Sequence, residues 1–135
     1  MAGAGAMAAA NASFLSDPGT QNYNRIAPSG DSRCGIRIAT DRDVDEIEGT
    51  GVYTDRADWL EASGTASNYE VRATLDSGTL SSATATGSYL ALSSSREWYT
   101  DDIESADLTI SIRHATNTTD EISFSVQLIS DNSPI

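Results

Sequence analysis

The C-terminal stretch of the chain constrains its fold most. Leu108, Ile110 and Ile112 alternate with Thr109, Ser111 and Arg113. After the polar segment His114–Asp120, Ile122, Phe124, Val126 and Leu128 alternate with Ser123, Ser125 and Gln127. Apolar residues at every second position put one face of an extended strand in a core and the other in water. A helix would scatter the same residues around its axis. Two such runs joined by a polar loop read as an antiparallel hairpin.

The same period recurs upstream. Cys34, Ile36 and Ile38 alternate with Gly35, Arg37 and Ala39, and Tyr69, Val71, Ala73 and Leu75 alternate with Glu70, Arg72 and Thr74. Shorter runs are Val52-Tyr53, Tyr89–Ser93 with Leu90 and Leu92, and Arg96–Tyr99 with Trp98. Asp17-Pro18-Gly19, Pro28-Ser29-Gly30 and Asp76-Ser77-Gly78 carry turn chemistry. Short Thr- and Ser-rich strands separated by turns predict an all-β sandwich or barrel of about seven strands. The expected core is Ile36, Ile38, Val71, Ala73, Leu75, Leu90, Leu92, Trp98, Leu108, Ile110, Ile112, Ile122, Phe124, Val126 and Leu128. Tyr69 and Cys34 join it on their strand faces, Cys34 as a small buried hydrophobe.

Before Cys34 the pattern is absent. Residues 1–31 contain few large apolar side chains and two turn signals, so they read as an extended N-terminal arm ahead of a domain at 32–135. Its alanine-rich start has no cation before Arg25, unlike the charged lead of a signal peptide. Phe14, Leu15, Tyr23 and Ile26 are spaced as single anchors, each able to fill a pocket on a neighbouring subunit. The arm is expected to carry assembly, and its removal to leave a folded sandwich.

The 135 residues suit one domain plus an arm. Net charge is -12, and all eight cations are arginine. Phosphate binding needs clustered cations, so nucleic acid is not an expected partner, and an anionic membrane surface is disfavoured likewise. No segment approaches the roughly 20 apolar residues of a membrane span.

Candidate chemistry is sparse. Asp41, Asp43 and Asp45 could open a calcium loop, but Glu46 and Val52 stand where an EF-hand needs glycine and a bidentate glutamate. A solvated acidic turn explains them better, and no metal or cofactor is expected. Glu70 and Glu97 could form a catalytic carboxylate pair. An ion pair of Glu70 with Arg72, Arg96 or Arg113 accounts for that residue more simply. His114, the single histidine, opens a polar loop and reads as a surface residue. Asn11-Ala12-Ser13 and Asn117-Thr118-Thr119 match the glycosylation pattern, which acquires meaning only in a secretory setting. Tyr89 and Tyr99 are candidate interface aromatics.

The run Tyr69–Leu75 (YEVRATL), the Ser77-Gly78 turn, Gly87–Tyr99 (GSYLALSSSREWY) and the two closing strands resemble a family of small virion structural proteins of tailed bacteriophages. The likeness extends over about Ile36 to Leu128, including the lead-in at Trp59-Leu60. Where members often carry an Asp-Gly turn, this chain has Asp41-Arg42-Asp43. The resemblance implies an immunoglobulin-like sandwich, no catalytic residues, and other virion proteins as partners in a symmetric, multicopy assembly. Charge adds that a chain so acidic is repelled by packaged DNA, which favours the virion exterior, on tail or capsid; the resemblance implies the tail more than the head. A capsid decoration or cement protein is the nearest alternative. A carbohydrate-binding sandwich module is an alternative of another class; exposed coplanar aromatics would favour it, and burial of Trp59 and Trp98 would count against it.

Overall fold

A computed structural model describes residues 14–26, 34–40, 59–60, 64–101 and 104–131. The described residues form seven strands, and on those that alternate the buried side chains are mostly apolar, with Thr100, Ser111 and Ser130 the polar exceptions. In chain order the strands are β1 (Gln21–Ile26), β2 (Cys34–Ile38), β3 (Tyr69–Gly78), β4 (Leu90–Ala91), β5 (Arg96–Thr100), β6 (Ser105–His114) and β7 (Glu121–Asp131), with a 3-10 turn at Ala66–Asn68 before β3.

One sheet has the order β1-β7-β6-β3-β4, and β2 pairs with β5 in a second. Second and fifth strands face third, sixth and seventh across the core, the partition of an immunoglobulin-like sandwich. Ile36 and Trp98 from the small sheet join Val71, Ile110, Phe124 and Leu128 from the large one in a single buried cluster. The hairpin expected at the C-terminus is β6–β7, in register from Arg113↔Glu121 to Ser105↔Ile129.

Three expected core residues sit less deeply. Leu75 is 38% exposed, and Leu90 and Ile122 are half-buried against the cluster. Leu75 is the last inward residue before a bulge between Leu75 and Ser77. The five-residue strands β2 and β5 are half the length of the ten-residue β3. Leu90 lies on a two-residue edge strand, and Ile122 beside the hairpin loop.

Asp76-Ser77-Gly78, read as a strand-ending turn, stays within β3 as its bulged end. Gly78 has φ +88°, and a Cβ there would lie 2.1 Å from the Ser105 carbonyl oxygen. Backbone cannot yield as a flexible side chain can. Gly78→Ala is therefore expected to lose roughly 1–3 kcal/mol through strain alone, read as a lower urea midpoint.

The boundary at residues 31/32 needs correction. Residues 21–26, assigned to a free arm, form β1, an edge strand parallel to β7 in the register Gln21↔Val126 to Ile26↔Asp131. Asp17-Pro18-Gly19 does make a turn: Gly19 has φ +78°, and its N–H donates to Asp17 Oδ1 at 2.8 Å. Ahead of it, Leu15 is buried in the domain's own core and bridges Leu60. The Ser16 N–H donates to the Trp59 carbonyl at 2.9 Å. No alternation marks this contact: Phe14-Leu15 and Trp59-Leu60 are short apolar pairs without period, and Leu15 meets Leu60 only in three dimensions.

Candidate functional site

The outward face of β3, β6 and β7 is built in rungs by the strand register. Glu70, Arg113 and Glu121 form one, Arg72, Ser111 and Ser123 the next, and Thr74, Thr109 and Ser125 a third. Their positions follow from the same alternation that buries the opposite side chains. At the first rung Arg113 Nε donates to Glu70 Oε1 at 2.7 Å. That hydrogen bond, more than any other contact, strengthens the hold of the Arg113 guanidinium on its proton.

Tyr89 closes this end of the face. Its hydroxyl donates to Glu121, and the guanidinium carbons of Arg113 and Arg72 lie 3.6 and 4.6 Å from its ring centroid. Both cations meet the electron-rich face of the ring. Burial, then the Glu121 carboxylate, raises the Tyr89 hydroxyl above its ordinary pKa. In the second rung Ser111 Oγ and Ser123 Oγ are 2.9 Å apart.

Toward the other end, Thr20, Asn22, Asp76, Asp107, Ser125 and Gln127 line a cleft of about 280 Å³. Asp76 accepts from Thr109 Oγ1 at 2.7 Å, and Asp107 accepts from Ser77 Oγ at 2.8 Å and Gln127 Nε2 at 3.3 Å. These carboxylates are tied into the sheet by neutral donors. Among the described residues no three of His, Cys, Asp and Glu are grouped to hold a metal.

The other singled-out residues are dispersed. Phe14 is 45% exposed, whereas Leu15 is buried. Tyr23 and Ile26 lie in β1, opposite Leu128 and Asp131 of β7. Tyr99 is half-buried in β5, opposite Gly35, and its carbonyl accepts from the Ser81 N–H at 2.9 Å. Cys34 is buried. Glu70 belongs to the outer-face ion pair, and Glu97 lies on β5 opposite Arg37 of β2, so the two glutamates sit on different sheets. Asp41, Asp43 and Asp45 lie outside the described residues, as do Asn11 and Val52-Tyr53. Trp59 and Trp98 are completely buried. Neither offers a flat face to a sugar, which counts against the carbohydrate-binding alternative.

Sequence reasoning did not find the Tyr69 network. Tyr69 is buried in edge-to-face contact with Trp59 and His114, at centroid distances of 6.2 and 5.0 Å. Its hydroxyl donates to Asp120 Oδ2 at 3.2 Å. Burial first, then the Asp120 carboxylate, pushes the phenol from 10.0 up to about 12. A folded state that retains a proton the unfolded state has lost becomes less stable as pH rises. Stability is thus expected to fall between pH 10 and about 12, with Tyr69→Phe flattening that slope. Alkaline titration of tyrosinate absorbance alongside urea midpoints checks this; Tyr69 ionising with exposed tyrosines would contradict it.

No protein-family model, curated protein or solved structure matches the chain.

Proposed function

We propose that the protein is a non-enzymatic structural protein of a tailed bacteriophage virion, held on the exterior, on the tail rather than the head, in multiple copies among other virion proteins. The observation that carries the docking part of this reading is Phe14. It is 45% exposed immediately before Leu15, which is locked in the core. One residue anchors the N-terminal segment to its own domain while the adjacent aromatic faces solvent. An aromatic held at the surface beside a buried anchor can fill a pocket on a neighbouring subunit. Because the backbone of Gln21–Ile26 pairs with β7, the segment proposed to reach a neighbouring subunit is Phe14 and the residues before it.

The resemblance over Ile36–Leu128 supports the virion assignment, and the net charge of -12 supports a position away from packaged DNA. On the outer face Arg113 pairs with Glu70, Tyr89 bonds to Glu121 and both Arg72 and Arg113 lie over the Tyr89 ring, so two positive and two negative charges offset one another, which supports a protein contact surface. Deleting residues 1–13 together with Phe14→Ser is expected to leave a folded domain that no longer enters particles. Incorporation would be measured by quantitative mass spectrometry of purified virions. Normal incorporation would remove the arm from the interface, and absence of the wild-type chain from virions would end the reading altogether.

A further inference from the structure

The β6–β7 loop is organised around one nitrogen atom. His114 Nδ1 accepts from the Asn117 N–H at 2.9 Å and the Thr116 N–H at 3.2 Å, and lies 3.1 Å from Thr116 Oγ1. Accepting two backbone donors requires a lone pair on Nδ1, so the neutral ring carries its proton on Nε2. The base of the loop is closed separately. The His114 N–H donates to the Asp120 carbonyl at 2.9 Å, and the Ala115 N–H to the Asn68 carbonyl at 2.9 Å. Residues 115–119 are exposed.

We infer that His114 is a proton-operated latch for this loop, a role that goes beyond the structural function proposed above. A proton added from solvent occupies the Nδ1 lone pair and turns the atom into a donor. Its two backbone partners, donors themselves, then face a third donor and lose their acceptor. Thr116 Oγ1 alone can adapt, because a hydroxyl rotates to accept from Nδ1–H. The protonated ring keeps the threonine hydroxyl and releases the Thr116 and Asn117 amides.

The surroundings confine the change to the tip. From β3 the group packed on the ring is Tyr69, whose hydroxyl is bonded to Asp120 at the end of the loop. Arg113, the adjacent cation on β6, lies on the opposite sheet face in its pair with Glu70. The turn at Ala66–Asn68 contributes no charge. Neither the Tyr69–Asp120 bond nor the two base hydrogen bonds uses Nδ1, so they persist while residues 116–119 re-form. The proton thereby changes which hydroxyls and amides this end of the sandwich presents.

The chain has one histidine, so the full-length protein reports the latch directly. Amide-exchange protection factors of Thr116 and Asn117 are measured by NMR across the pH range in which the His114 ring shift titrates, on the same sample. Protection at these two amides should fall about ten-fold with the midpoint of the ring, the loss of roughly one hydrogen bond each. The His114 and Ala115 amides, which close the base of the loop, should not follow. His114→Phe keeps a ring against Tyr69 but supplies no acceptor, and should leave amides 116 and 117 unprotected at every pH. Constant protection through the ring titration, or joint loss at the loop base, overturns the latch. The wild-type titration decides this even if the variant fails to fold.

Discussion

Trp98→Ala is expected to be the most damaging single substitution, lowering stability by about 4 kcal/mol. Trp98 is completely buried in β5, directly opposite Ile36 of β2. It is also tied to the rest of the fold, because its indole Nε1 donates to the Ala85 carbonyl at 3.1 Å. Removing the ring opens a cavity that the two short strands of the small sheet cannot close without leaving their register. The indole hydrogen bond disappears as well. Trp98→Phe separates the two effects: it retains most of the burial and loses the N–H, so about 1 kcal/mol from the hydrogen bond is expected in addition to a smaller packing loss. For a domain whose total stability is of order 5–15 kcal/mol, the alanine variant stands close to unfolding. Urea titration of both variants measures the difference, and an alanine variant within about 1 kcal/mol of wild type would show that Trp98 does not hold the two sheets together.

Removal of residues 1–26 is expected to cost roughly 4 kcal/mol or more, against little change when only 1–13 are removed. The leucine alone accounts for about 2–5 kcal/mol, since Leu15 is buried against Leu60 in the core. Loss of β1 then strips the backbone partner from one edge of β7 along Val126–Asp131. The newly exposed edge gives a second readout, because an unpaired edge strand invites association with other chains. The longer truncation should therefore show both a lower denaturant midpoint and concentration-dependent aggregation. Equal midpoints for the two truncations would mean that β1 and Leu15 contribute nothing, and the domain would then begin near residue 32 as the sequence pattern suggests.

That disagreement marks where sequence reasoning stops. The strands β2, β3, β5, β6 and β7 were legible because their inward residues repeat every second position, and burial depends on that local period. Gln21–Ile26 has no such alternation of large apolar residues, and its strand state rests on pairing with β7, a partner about a hundred residues away. On the outer face, the Glu70–Arg113 pair was among those expected, since opposite charges on neighbouring strands find each other. The placement of Tyr89 against two arginines was not, because it hangs on the path of the chain from β3 to β4. His114 read as an ordinary surface histidine; only the fold of the loop turns two amides onto its Nδ1.

By itself the sequence determined the all-β class, the hairpin that closes the chain, most of the core and an acidic, lysine-free surface. Each follows from short-range periodicity or from composition, which do not depend on which strands meet. Tertiary structure alone decided that β1 belongs to the domain, that Leu15 packs on Leu60, and that Tyr69, His114 and Asp120 form one network. These are contacts between residues far apart in the chain. Their energies come from complementarity of particular neighbours, which no local pattern encodes.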